Sequence, residues 1–179
     1  MKKLAIISIL CVAFSVNAQK INWITFKEAV EAQKITPKKI FIDAYTTWCG
    51  PCKLLDKNTF QHKDVANYVN QHYYAVKFNA EGNETINFKG ETFSNPDFDP
   101  NKKGRNSSHQ LSRYFGVRAY PTLIFLDEEA NTIAPITGYK TPQQIELYLK
   151  MFKTDEYKNI KSQEEFNEYY KSFNYEFIN

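Results

Sequence analysis

The sequence predicts an α/β fold, and three observations lead there. Ile40-Phe41-Ile42-Asp43-Ala44-Tyr45 is an almost unbroken apolar run of strand length. It leads within a few residues into Cys49-Gly50-Pro51-Cys52 and a helical pattern. Strand and helix patterns then alternate to about residue 152, the order that builds a sheet covered by helices.

Residues 25–35 carry Phe26, Ala29, Val30 and Gln33 on one helical stripe, and Thr36-Pro37 ends it. Residues 39–45 form the buried strand. Pro51 suits a first helical turn, because its missing N–H leaves no bond unmade. A long helix is expected over 51–72, with Leu54, Leu55, Val65, Tyr68 and Val69 inward. Residues 73–79 alternate as a second strand. Residues 80–107 then break the pattern, with Gly82, Gly90, Pro96, Pro100 and Gly104 punctuating a polar stretch. A loop this long is functional or disordered, and its Phe88, Phe93 and Phe98 argue that part of it packs on the domain. Residues 97–108 imitate a calcium loop, but Lys102 and Ser108 stand where that loop needs glycine and glutamate. A short helix over 110–114, strands over 122–126 and 132–137, and a helix over 142–152 capped by Thr141 follow. A last helix is expected over 163–173.

The chain has 179 residues, enough for one domain with a proper core. Its formal net charge is +3, of which Lys2 and Lys3 supply part, so residues 19–179 are near neutral. No basic stripe suggests nucleic acid. Met1-Lys2-Lys3, the apolar run to Val16 and the small residues of Val16-Asn17-Ala18 read as a secretory signal cleaved after Ala18. The run is short for a membrane span, which makes an uncleaved anchor the lesser reading. The expected division is a signal over 1–18, a domain over 19–152 and a helical extension over 153–179. A periplasmic or secreted protein is expected. Cys11 leaves with the signal, so the mature chain keeps Cys49 and Cys52.

A bridge between these two closes almost no loop and constrains the unfolded chain little, so a structural role is a poor explanation. At a strand-to-helix junction the pair reads as a dithiol/disulfide redox centre. The helix N-terminus favours a thiolate at Cys49, expected to be the more exposed thiol and the nucleophile, with Cys52 resolving the mixed disulfide. A zinc clip needs two more ligands, and His62, His72 and His109 show no ligand spacing. No metal and no cofactor are expected. Asp43 is a lone carboxylate among apolar neighbours, unfavourable unless paired or functional.

The order of elements resembles the thioredoxin fold over residues 23–152, which implies a central mixed sheet flanked by helices, with an insertion and an extra C-terminal helix. Trp48-Cys49-Gly50-Pro51-Cys52-Lys53 looks like the active-site sequence of that family. Phe115-Gly116-Val117-Arg118-Ala119-Tyr120-Pro121-Thr122 is similar to its cis-proline segment, and Thr137-Gly138-Tyr139 to its nearby glycine turn. Asp43-Ala44-Tyr45-Thr46-Thr47-Trp48-Cys49, with Thr59-Phe60 and Val65, is similar to the C-terminal periplasmic domain of the thiol:disulfide interchange protein DsbD family.

The resemblance implies a Cys49–Cys52 redox disulfide. It implies that Asp43 relays a proton for Cys52, with Lys77 as its partner. Trp48, Gly50, Pro51, Tyr120, Pro121 and Gly138 would form the substrate surface, the backbone of Tyr120 pairing with a peptide. Tyr45 is open between packing and substrate contact. Gly-Pro between the cysteines points toward a reductant, which outside the cytoplasm requires electrons from a membrane-embedded donor. The expected protein is a stand-alone soluble monomer acting on disulfide-containing proteins. A binding or chaperone module and a copper(I)-handling protein are the alternatives.

Overall fold

A computed structural model describes residues 20–177, so the expected signal segment lies outside the described residues. In chain order the elements are β1 (Trp23–Ile24), α1 (Phe26–Ile35), β2 (Ile40–Tyr45) and α2 (Gly50–Leu55). A π-helical turn (Asp56–Phe60) leads to α3 (Lys63–His72) and β3 (Tyr74–Asn79). Then come β4 (Ile86–Phe88), β5 (Glu91–Phe93), α4 (Gln110–Tyr114), β6 (Thr122–Leu126) and β7 (Thr132–Thr137). The chain continues through α5 (Pro142–Lys153), a 3₁₀ turn (Glu156–Lys158) and α6 (Gln163–Ser172).

The main sheet runs β1-β3-β2-β6-β7. β1, β3 and β2 are parallel, while β6 and β7 are antiparallel additions, so the sheet is mixed as the resemblance implies. Central β2 is covered on both faces, which is why its apolar run is nearly continuous. Alternation along it sends Ile40, Ile42 and Ala44 into one core with Phe26, Ala29, Leu111 and Phe115. Phe41 goes to the opposite core, with Leu55, Phe60, Val69, Ile145 and Phe152. Asp43 and Tyr45 share the Phe41 parity, so Asp43 faces the side on which the helix after the cysteines packs. α1 begins with a capping box between Thr25 and Glu28, which satisfies donors at both ends of its first turn.

Three expectations are corrected. The long helix over 51–72 is broken. Leu55 and Phe60 are both buried at a spacing of five residues, which the π-helical turn accommodates and a regular helix does not. The Thr59 hydroxyl donates to the Lys140 carbonyl at 2.6 Å, and Phe60 stacks edge-on against Trp23. Leu54, expected inward, is 52% exposed. The stretch over 80–107 is not structureless, since β4 and β5 pair in register through a two-residue turn. Lys89 and Gly90 both have positive φ, at 51° and 81°, the conformation of a type I′ turn. Phe88 and Phe93 enter the core with Phe26 and Phe115. The short edge strand β1 was also not expected; it pairs with β3 through Trp23 and Ile24.

The C-terminal segment is fastened by one buried carboxylate. Glu146 of α5 is fully buried and accepts hydrogen bonds from the Glu176 and Phe177 backbone N–H groups at 2.8 and 2.9 Å. Lys150 completes the site at 2.7 Å. Glu146→Ala is expected to lower stability by about 2–3 kcal/mol, because buried donors lose their acceptor. Urea titration measures the loss, and limited proteolysis should show new cleavage after Ser172; unchanged cleavage would refute the clip.

Candidate active site

β2 ends at Tyr45, and the turn that follows delivers Cys49 to the start of α2. Cys49 has extended backbone dihedrals, and its Sγ accepts the Cys52 N–H at 3.1 Å, so the sulfur itself caps the helix. Pro51 sits in the first turn. Cys49 and Cys52 are joined as a disulfide, with their Cα atoms 5.3 Å apart. The expectation that Cys49 is the more exposed thiol does not hold in this form. Cys49 is 1% and Cys52 2% exposed.

Cys49 lines a cleft of about 420 Å³ together with Trp48, Pro51, Glu81, Arg105, Arg118, Ala119 and Tyr120. Trp48 and Tyr120 meet edge to face at 5.9 Å, so the residue before the cysteines and the residue before Pro121 form one aromatic corner. The Tyr120–Pro121 peptide is cis. Gly138 donates its N–H to the Pro121 carbonyl at 2.8 Å and has φ 90°, a conformation that favours glycine. Gly50, Pro121 and Gly138, expected at the substrate surface, are not among the residues lining the cleft. Gly50 is exposed at the first turn of α2 with open space beside it, and Gly138 acts behind Pro121.

The insertion supplies part of the site. Glu81, nearly buried, accepts from Trp48 Nε1 at 2.7 Å and from the Asn106 backbone N–H at 2.8 Å through the same oxygen. The Arg105 guanidinium lies over the Trp48 ring, 4.5 Å from its centroid. Buried Asn95 holds the two ends of the segment, donating to the Gly82 carbonyl at 3.0 Å and the Ser107 carbonyl at 2.8 Å. His109 anchors its exit. Its Nδ1 accepts the Leu111 N–H at 3.0 Å and its Nε2 lies 2.8 Å from the Glu84 carbonyl oxygen.

On the α2 side of the sheet, Asp43 is fully buried, with Oδ2 2.7 Å from Lys77 Nζ. Lys77 is its direct neighbour in register on β3 and also contacts Asp56. The ammonium sits among the rings of Trp23, Tyr45 and Phe60, at 5.0, 5.2 and 5.2 Å. Tyr45 therefore packs against Lys77. Burial pushes the Asp43 carboxyl up to about 6, against the opposing pull of Lys77. Burial disfavours the Lys77 charge, but Asp43 and Asp56 outweigh it and hold the lysine above its ordinary value. Asp56, Glu81, Arg105 and the Trp23–Phe60 part of the cage were not legible as site residues. Arg118 lies inside the Phe115–Thr122 motif, which was the one available signal. No group of three or more His, Cys, Asp or Glu side chains suited to a metal ion occurs among the described residues.

Known proteins are similar to this chain in sequence and in fold. A thiol:disulfide interchange protein DsbD from Pectobacterium atrosepticum is 24% identical over 119 residues, 65% of this chain but 17% of that protein. The chain thus spans about a sixth of the length of that curated relative. A thioredoxin-fold protein from Helicobacter pylori superposes with a TM-score of 0.59 at 20% identity, covering 76% of this chain and 81% of the other. A putative disulphide-isomerase from Bacteroides thetaiotaomicron superposes with a TM-score of 0.51 at 28% identity, covering 76% and 93%. The family pattern of a thioredoxin-like domain matches residues 26–153. With the Cys49–Cys52 disulfide at the start of α2, the mixed sheet and that match over most of its length, the chain belongs to the thioredoxin-like family.

Proposed function

We propose that this protein is an exported thiol:disulfide oxidoreductase that reduces protein disulfides through Cys49 and Cys52. The observation that carries the reading is the Cys49–Cys52 disulfide at a helix start, with Cys49 lining a cleft of about 420 Å³. The similarity to a thiol:disulfide interchange protein and to a putative disulphide-isomerase supports it.

In the reduced protein the Cys49 thiolate attacks one sulfur of a substrate disulfide. A mixed disulfide forms, and the first substrate sulfur leaves as a thiolate and takes a proton from solvent. Cys52 then gives its proton to Asp43 and attacks Cys49 Sγ. The internal disulfide forms and the second substrate sulfur leaves as a thiolate that takes a proton from solvent, while Asp43 returns its proton to solvent. Two electrons have then passed from the Cys49–Cys52 pair to the substrate, whose two thiols are protonated by solvent. Lys77 holds the Asp43 carboxylate in place, 2.7 Å away. Trp48, Pro51 and Tyr120 face the bound peptide in the cleft. A membrane-embedded dithiol donor restores the reduced pair, which fits export by the segment over 1–18. No helix among the described residues is long and apolar enough to cross a membrane.

Two measurements test the reading. Cys52→Ala protein, expressed with its signal, should accumulate mixed disulfides on Cys49 with extracytoplasmic proteins. Absence of any adduct overturns exchange as the activity. The equilibrium potential of the purified pair should lie near about −270 mV, as for a reductant. A value near about −120 mV would reverse the proposed direction.

A further inference from the structure

We infer that Arg105 and Arg118 make the cleft over Cys49 an anion-selecting subsite, so that the preferred substrates are polypeptide disulfides with carboxylates beside the reacting cysteine. The inference rests on the proposed exchange activity and names the substrate class of that same site.

Both arginines line the cleft that contains Cys49, and they reach it from separate segments. Arg105 comes from the insertion and Arg118 from the turn three residues before Pro121. Both are exposed, and among the described residues neither forms an ion pair with an acidic side chain. One acid, Glu81, lines the same cleft. Its Oε2 is already occupied by Trp48 Nε1 and the Asn106 N–H. Those bonds hold the insertion against Trp48, and the same segment carries Arg105 onto the tryptophan face at 4.5 Å. The guanidinium is thereby stacked on a ring at the edge of the cleft, with its planar fork free for a carboxylate.

A single exposed arginine carries little information. Two arginines against the single Glu81 carboxylate leave the lining of the Cys49 cleft net positive, and that sets the sign of the field a substrate meets on approach. A peptide with aspartate or glutamate next to its cystine meets attraction there, and one with lysine meets repulsion. Contacts of this kind are short-ranged, so the preference applies to residues adjacent to the disulfide and not to the net charge of the substrate.

The test uses the reduced full-length mature protein and four synthetic disulfide peptides of one sequence. They carry two aspartates, two serines or two lysines flanking one cysteine, or two aspartates six residues away from it. Second-order rate constants for reduction are measured by stopped flow. The adjacent-aspartate peptide should react about tenfold faster than the lysine peptide, a size typical of two exposed ion pairs. The distant-aspartate peptide should behave like the serine peptide. The preference should shrink at 0.5 M salt. In Arg105→Gln/Arg118→Gln it should vanish, and in Arg105→Glu/Arg118→Glu it should reverse. Arg105→Lys, which keeps the charge, should keep most of the preference. Equal rates for the aspartate and lysine peptides, or a preference that survives the double glutamine variant, overturn the subsite. Failure of the wild-type protein to reduce any of the four peptides overturns the exchange activity itself.

Discussion

Cys49→Ser is expected to slow insulin-disulfide reduction at least about 1,000-fold, to the background rate, while the domain stays folded. Attack on a disulfide requires a thiolate, and a serine hydroxyl is not ionised at neutral pH. The helix does not depend on the sulfur. Cys49 occupies the N-cap of α2, where it accepts the Cys52 N–H, and serine is among the preferred residues there. Loss of the bridge removes a loop of minimal size, so it lowers stability by about 2 kcal/mol or less. Cys52→Ala differs in kind. It keeps the attacking sulfur and removes the resolving one, so a single equivalent of substrate should be captured as a stable mixed disulfide with no turnover. If Cys49→Ser retained wild-type turnover, the protein would not act through this pair. If Cys52→Ala turned over normally, the resolving thiol would have to come from elsewhere.

The parts of this apparatus that were legible in the sequence are those carried by local pattern. The β2 run, the Cys49–Cys52 spacing and Pro51 each report a conformation set within a few residues. Asp43 stood out because a carboxylate amid Ile42 and Ala44 contradicts its surroundings. Of what surrounds Asp43, Lys77 was named only through the family resemblance, and the rest was not legible in the same way. Lys77 is its neighbour in sheet register, and the cage of Trp23, Tyr45 and Phe60 is assembled from an edge strand, β2 and a π-helical turn. Strand pairing and a change of helical register have no signature in a periodicity of 3.6. The hairpin inside the insertion failed to declare itself for a related reason. Lys89-Gly90 is a weaker turn signal than Asn-Gly, and each strand beside it is three residues long. Glu81 and Arg105 look like ordinary solvated charges until the fold brings them to Trp48.

Asp43→Asn should make the protein more stable and slower above pH 6, and both effects should disappear on acidification. Burial raises the carboxyl from its ordinary 3.8 to about 6. Between those values the folded state holds a proton that the unfolded chain has released, so stability falls as pH rises through this window. Above it the ionised side chain costs the fold about 3 kcal/mol relative to a neutral one, even with Lys77 beside it. The asparagine variant escapes that cost. Its stability advantage in urea titrations should be near zero at pH 4, grow to about 3 kcal/mol by pH 7, and then stay level. Catalysis runs the other way. The ionised carboxylate is the form able to take the Cys52 proton, so resolution of a preformed mixed disulfide should fall in wild type as pH drops through about 6. The variant should lack that limb and react about 100-fold more slowly at pH 7.5, the scale on which a positioned base contributes. Lys77→Met removes the counter-charge and should move the wild-type limb to higher pH, which a purely structural ion pair would not do. If Asp43→Asn resolves the mixed disulfide at the wild-type rate at pH 7.5, Asp43 is only the buried partner of Lys77, and the proton from Cys52 leaves by another route.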